Sequence, residues 1–196
     1  MIANLVLLWL AALPLMGSPG PATLSTAAVG ASFGWRRGLP WLAGIVAGTA
    51  AVLLLIASGI TAAILALPAL KTAITLLAAA YILWLAWRIA TAPPLSNDTA
   101  AKAPAFPGAF LLAVANPKAF AAIGAIYAGH TVMPGDLAAD ATVKIAALVP
   151  VIVLVNTVWL LSGTLLARTL RDPKKCRIAN VTFAGLLVVS VALAVT

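Results

Sequence analysis

The chain has 196 residues, of which 64% are hydrophobic and 8% charged, and its formal net charge at pH 7 is +8. A soluble domain carries about 25% charged residues, so this composition excludes a soluble protein. It predicts an all-α integral membrane protein. The basic residues are spread among short loops and form no basic domain. Nucleic acid is therefore not an expected partner, whereas the lipid bilayer is.

Six apolar segments approach the length of about 20 residues that a helix needs to cross a bilayer. In chain order they cover residues 5–33, 41–66, 72–87, 107–127, 145–166 and 178–195. Because they use up most of the chain, they leave no room for a soluble catalytic domain. The N-terminus lacks the basic region of a signal peptide, so the first segment is expected to remain as a membrane span.

The distribution of positive charge predicts the orientation of these spans. Nine Lys and Arg residues fall in the loops after the first, third and fifth segments, and two fall in the opposite loops. The positive-inside rule then makes the nine cytoplasmic and both termini periplasmic. Residues 91–105 are rich in proline and polar residues, which indicates a cytoplasmic linker between two three-helix repeats, residues 1–90 and 106–196.

Two of the six segments are interrupted at comparable places. Gly17-Ser18-Pro19-Gly20-Pro21 breaks the first, and Asn116-Pro117-Lys118 breaks the fourth. Proline removes a backbone donor, so a membrane helix tolerates it where protein groups or a wet cavity satisfy the freed carbonyls. Paired interruptions of this kind predict a 3+3 inverted repeat with broken helices 1 and 4 and a substrate site between them. Kinked helices without functional meaning are the alternative.

The predicted substrate-binding residues are those of the two breaks. Pro21 and Pro117 suit the first turn of a new half-helix, whose free N–H groups attract a carboxylate. Lys118 lies about 17 Å into its segment, near the middle of a ~30 Å core, where an ionisable residue is a functional candidate. The alternative to a functional role for Lys118 is a side chain that extends along its alkyl stem toward a membrane interface. Asn116 is either a helix cap or a substrate contact. The full set is Ser18, Pro19, Gly20, Pro21, Asn116, Pro117 and Lys118.

The remaining polar residues argue against catalysis. No hydroxyl inside a span has a histidine or carboxylate beside it in sequence, and Cys176 stands alone, so we expect no enzyme activity, catalytic residue, cofactor or metal site. All four acidic residues are assigned to loops, which leaves no membrane carboxylate for a proton relay. Asn156 and Asn180 are interpreted as hydrogen-bonding groups between helices, with a place along a transport path as the alternative.

Several motifs together carry a family resemblance. Ser18-Pro19-Gly20-Pro21-Ala22 precedes a series of spaced glycines, and Asn116-Pro117-Lys118-Ala119-Phe120 lies in the fourth segment. This chain thereby resembles the LysE/RhtB amino-acid exporters, which implies efflux of amino acids or related small metabolites from the bacterial cytoplasm across the inner membrane by alternating access. The chain departs from the family where a Leu-Pro-Gln-Phe-like segment commonly follows, because it has residues 126–130, Ile-Tyr-Ala-Gly-His, there.

The absence of an acidic residue from the predicted spans favours a neutral amino acid as substrate. Burying the side-chain ammonium of lysine beside Lys118 without a partner carboxylate costs several kcal/mol. Three alternatives stay open: a metal-ion exporter, an exporter of another small solute on the same scaffold, and a membrane subunit that does not transport. The oligomeric state is also open, with a homo-oligomer as one candidate.

Overall fold

The structure is a computed structural model that describes residues 1–59 and 105–166 continuously, with individual residues between 76 and 91 and between 172 and 189. The described part is helical and contains no strand, which confirms the all-α class. Nearly all of the predicted linker 91–105 and most of the predicted spans 72–87 and 178–195 lie outside the described residues. The helices are α1 (Ile2–Gly17), α2 (Pro21–Ala57), α3 (Phe106–Val114), α4 (Pro117–Gly129) and α5 (Leu137–Leu166).

Two of these helices, α2 and α5, are long and apolar enough to cross a membrane, with 37 and 30 residues. The consecutive helices α3 and α4 meet at an angle of 57° and make a third span if the bent pair is taken as one. Helix α1 is apolar but has 16 residues. The described part of the chain therefore carries two or three candidate membrane spans, as an integral membrane protein requires.

Helix α2 is interrupted at Gly34, whose φ of 75° and ψ of 167° are not helical. Glycine adopts this positive φ without the steric penalty that a side chain would bring. An unbroken helix of this length would extend about 55 Å, well beyond a ~30 Å hydrocarbon core. The stretch before Gly34 ends at Phe33, where the sequence predicts the end of the first span.

Both predicted breaks occur where the sequence places them. Helix α1 ends at Gly17 and α2 begins at Pro21, while α3 ends at Val114 and α4 begins at Pro117. Each proline occupies the start of the new helix, where its missing N–H removes no intrahelical hydrogen bond. Proline and glycine chemistry is therefore sufficient to explain the position of both breaks.

The buried side chains form two apolar clusters that share helices. The first unites α1, the end of α2, α4 and the first part of α5, with Leu8, Leu53, Ile123 and Ile152 among its members. The second unites the first part of α2 with α3, and includes Leu24, Ile45 and Leu112. Residues from both clusters line the cavity described below.

Glycines allow the backbones of neighbouring helices to approach closely. A methyl group on Gly44 would lie 2.5 Å from the carbonyl oxygen of Phe106, and one on Gly48 would lie 2.7 Å from Cβ of Ala113. Small residues at this Gly-x-x-x-Gly spacing let the backbones of two helices come into contact. On α5, a methyl group on Gly163 would collide with the carbonyl of Ala27.

We expect Gly163→Ala to destabilise the fold, because the added methyl group meets backbone that cannot move aside without separating α2 from α5. Overpacking of this kind costs about 1–3 kcal/mol or more. Gly124→Ala is the matched control, since nothing lies within 4 Å of a methyl group there. Thermal unfolding in detergent should show a lower Tm for Gly163→Ala and an equal or higher Tm for Gly124→Ala. Equal Tm values for the two variants would contradict the packing.

The assignment of every acidic residue to a loop is wrong for Asp140. Helix α5 begins at Leu137, not near residue 145, and both Asp140 and Lys144 are buried within it. Oδ2 of Asp140 lies 2.7 Å from Nζ of Lys144. The helix continues through these charges because they pair one turn apart and neutralise each other. A hydropathy pattern scores each charge separately and so places the boundary too late.

Candidate functional site

A cavity of about 40 Å³ lies where the two helix breaks meet. By volume it holds roughly three water molecules. Helices α1, α2, α4 and α5 contribute residues to its wall, and so do the residues that precede α2 and α4, Gly20 and Asn116. The lining residues are Met16, Gly20, Ala22, Thr23, Thr49, Asn116, Lys118, Ala119, Ala122, Ile123, Ile152, Val155 and Asn156.

Lys118 connects the two breaks directly. Its ammonium group donates one hydrogen bond to the carbonyl oxygen of Ser18 and a second, of 3.2 Å, to the carbonyl oxygen of Pro19. These carbonyls follow the end of α1, where the helix dipole places partial negative charge. The half-buried lysine of α4 is thus held by the segment between α1 and α2.

Gly20 lets Lys118 lie this close. A methyl group on Gly20 would be 2.5 Å from Cδ of the lysine, so a larger residue would displace its side chain. The backbone of Gly20 is extended, with φ of −173°, and any residue could adopt it. The requirement for glycine is therefore one of space. The Gly20 N–H donates to the hydroxyl of Thr23 over 2.9 Å, which fixes the entry to α2.

The two half-helices do not present their N-termini equally. In α4, the Asn116 side chain accepts from the N–H of Lys118 at 3.1 Å, and its backbone carbonyl accepts from Ala119 at 3.0 Å. Asn116 is thus a helix cap, and it bonds amides that were predicted to be free for a substrate carboxylate. In α2, Pro21 has no N–H, and the amides of Ala22 and Thr23 have no acceptor within the helix. The start of α2 is the better anion site.

The other predicted residues contribute backbone more than side chains. The hydroxyl of Ser18 donates to the carbonyl of Leu15 over 2.8 Å, so the group that reaches Lys118 is the Ser18 carbonyl. Pro19 is exposed, and Pro21 and Pro117 begin their helices. The structure therefore brings Ser18, Pro19 and Gly20 to Lys118, and Asn116 lines the same cavity.

Helix α5 contributes two further residues at or beside the site, Asn156 and Trp159. Asn156 lines the cavity, and its Nδ2 donates to the carbonyl of Ile152 on the same helix over 2.8 Å. The first interpretation of Asn156, a hydrogen bond between helices, is therefore wrong, whereas the alternative, a place along a transport path, stays a prediction that its position in the cavity wall favours. Trp159 donates from Nε1 to the carbonyl of Gly17 over 3.1 Å and holds the end of α1. The three-residue spacing of Asn156 and Trp159, which puts them on one helical face, was the available signal.

The site is electropositive. Among the described residues that line the cavity, Lys118 is the one with an ionisable side chain. The buried carboxylate of Asp140 lies 16 residues before Asn156, about 24 Å along α5, and is paired with Lys144. A lysine and the start of α2 thus face a small cavity, an arrangement that attracts a carboxylate.

Known proteins share sequence similarity with most of this chain. The sequence profile of the family described as LysE type translocator matches residues 13–196. The chain is 33% identical over 173 residues to the cysteine/O-acetylserine efflux proteins of Escherichia coli strain K12 and Shigella sonnei strain Ss046, and the match covers 87% of each chain. The corresponding protein of Salmonella typhimurium strain LT2 is 32% identical over the same share. No solved structure matches.

Proposed function

Because this chain belongs to the LysE-type translocator family, we propose that it is a secondary transporter that exports amino acids across the bacterial inner membrane by alternating access. The observation that carries the proposal is the cavity between two broken helices, with Lys118 in its wall. A six-span 3+3 inverted repeat would place this cavity near the bilayer midplane, as in transporters whose substrate sites lie between discontinuous helices. In this proposal the chain acts as a transporter and not as an enzyme.

In the proposed site, the substrate carboxylate binds Lys118 and the free amides at the start of α2. The ammonium group of Lys118 is already shared between the carbonyls of Ser18 and Pro19. A carboxylate is a stronger partner for an ammonium group than a backbone carbonyl, so its arrival would draw Lys118 away from the first break. Substrate binding would thereby loosen the contact between the two broken helices, which gives the site a means to couple binding to movement.

The proposed substrate class is a small amino acid with an uncharged side chain. Cysteine and O-acetylserine, the molecules in the names of the relatives, both belong to this class. Ala119 and Ala122 line the cavity beside Ile152 and Val155, so its wall offers apolar contacts to a short side chain. The Asp140 carboxylate is committed to Lys144 and does not line the cavity, so it does not offset a substrate cation.

Counterflow into proteoliposomes tests the proposal directly. The purified chain is reconstituted in vesicles loaded with an unlabelled amino acid, and entry of the labelled compound is followed for cysteine, O-acetylserine, threonine, leucine and lysine. We expect at least one labelled neutral amino acid to enter faster than it enters loaded vesicles that contain no protein. No entry of any amino acid would favour a membrane subunit that does not transport.

The same assay compares neutral with cationic substrates. We expect neutral amino acids to be carried in clear preference to lysine, because a second ammonium group would enter a cavity that already contains Lys118. Bringing an unpaired charge into such a site costs several kcal/mol. The measurement is the ratio of initial rates for labelled threonine and labelled lysine at equal concentration. A preference for lysine would mean that water or backbone dipoles stabilise its charge sufficiently.

The proposed orientation has both termini in the periplasm. Nine basic residues fall in predicted loops on one side of the spans, and of the two assigned to the other side Lys144 is buried within α5. This asymmetry favours a cytoplasmic position for the predicted loop that contains Arg168 and Arg177. We expect a C-terminal alkaline phosphatase fusion to be active and a C-terminal fluorescent-protein fusion to be dark. The opposite pair of results would reverse the orientation.

A further inference from the structure

We propose that the side chain of Asn156 binds the ammonium group of the transported amino acid and thereby selects amino acids over carboxylates that lack an amine. The inference rests on the proposed function. That proposal assigns residues to the substrate carboxylate, and this one assigns a residue to the substrate ammonium group. It begins from one observation, that Oδ1 of Asn156 is buried and has no hydrogen-bond partner within the described structure.

An unpaired buried acceptor is rare in a folded protein and costs free energy unless a ligand or water satisfies it. Asn156 is 5% exposed, and it is one of the residues that line the cavity. Its orientation follows from the bond between Nδ2 and the carbonyl of Ile152. The flipped amide would place two oxygens against each other, so the acceptor Oδ1 is the atom of the amide that is left without a partner.

Different polar groups around the cavity suit the two charged ends of an amino acid. Lys118 and the free amides of α2 are donors and suit a carboxylate, but an ammonium group has three donors and needs acceptors. The hydroxyl of Thr23 already accepts from Gly20 and lies 3.1 Å from the carbonyl of Gly20, to which it donates. Asn156, on α5, instead has a side-chain carbonyl oxygen without a hydrogen-bond partner in the described structure. A neutral amide accepts from an ammonium group without introducing a charge of its own.

The test compares an amino acid with its des-amino analogue, which keeps the carboxylate and lacks the amine. Each compound competes with labelled amino acid in counterflow, and the readout is the ratio of the two inhibitory concentrations. In the wild-type protein we expect the amino acid to inhibit at a concentration about 10-fold lower or more, the range of a hydrogen bond to a charged group. Asn156→Leu should bring this ratio close to one.

Asn4→Leu is the matched control. Asn4 lies on α1, and its side-chain amide contacts the carbonyl of Val132, away from the cavity. Asn4→Leu removes the same kind of side-chain amide, and it should keep the wild-type ratio of inhibitory concentrations. If Asn156→Leu transports and also keeps the wild-type ratio, a water molecule satisfies Oδ1 and the inference is wrong.

Asn156→Asp gives an answer if the leucine variant does not fold. Its carboxylate keeps the acceptor, so we expect the ratio to stay at or above the wild-type value and lysine entry to increase. Loss of discrimination in this variant would overturn the inference. Failure of the proposed function has a different signature, because the wild-type protein itself would then show no counterflow.

Discussion

Replacement of Lys118 by methionine should reduce amino-acid counterflow by about 10- to 100-fold or more, since a hydrogen bond to a charged group contributes about 1.5–3 kcal/mol. Methionine keeps much of the length of the side chain but removes the ammonium group. The variant thus loses the proposed carboxylate contact and the bonds to the carbonyls of Ser18 and Pro19. The initial rate of labelled threonine or cysteine entry, normalised to reconstituted protein, measures the effect.

Ser18→Ala is the matched control for this variant. It removes a hydroxyl that bonds the carbonyl of Leu15 but keeps the Ser18 carbonyl that Lys118 contacts, so its transport should stay near the wild-type rate. Thermal unfolding of both variants separates loss of transport from loss of fold. Wild-type transport by Lys118→Met would remove the lysine from the substrate site and leave it a structural role.

Lys144→Met should destabilise the protein strongly. The change leaves the buried carboxylate of Asp140 without its cation, and breaking one side of a buried ion pair costs about 3–5 kcal/mol. It also removes the bond of 2.9 Å from Lys144 to the carbonyl of Tyr127, and with it a contact between α5 and α4. A lower Tm in detergent, with less monodisperse protein on size exclusion, is the expected result.

A second change should restore part of this stability. Asp140→Leu combined with Lys144→Met removes both charges, and a buried pair replaced by apolar residues is often nearly neutral in stability. The recovery will be incomplete because Oδ1 of Asp140 also accepts from the N–H groups of Val132 and Met133. Lys174→Met, at an exposed lysine, serves as the control. A double variant less stable than Lys144→Met would contradict the importance of the unpaired charge.

The positions of the helix breaks could be predicted because they depend on local chemistry. Pro21 and Pro117 begin their helices, where the missing N–H of proline removes no intrahelical hydrogen bond. The Asn116 cap was one of two roles foreseen for this residue, and the hydrogen bond to Lys118 N–H is the local interaction expected of it.

Features that depend on the meeting of distant segments could not be predicted in the same way. The bonds from Lys118 to Ser18 and Pro19 join residues about 100 positions apart, and spacing within either segment does not specify them. The burial of Asp140 depends on its pairing with Lys144, and the place of Asn156 depends on which face α5 turns toward the breaks. Each follows from packing between helices.

Occlusion of the cavity tests most directly whether the amino acid binds between the two breaks. Ala122 lines the cavity, whereas Ala125 is exposed on the same helix three residues later. Ala122→Leu and Ala125→Leu add identical atoms to α4, one into the cavity and one onto the outer surface. Labelled amino-acid counterflow should be abolished by Ala122→Leu and unchanged by Ala125→Leu, at similar Tm. Equal transport by both variants would contradict a substrate site at this cavity.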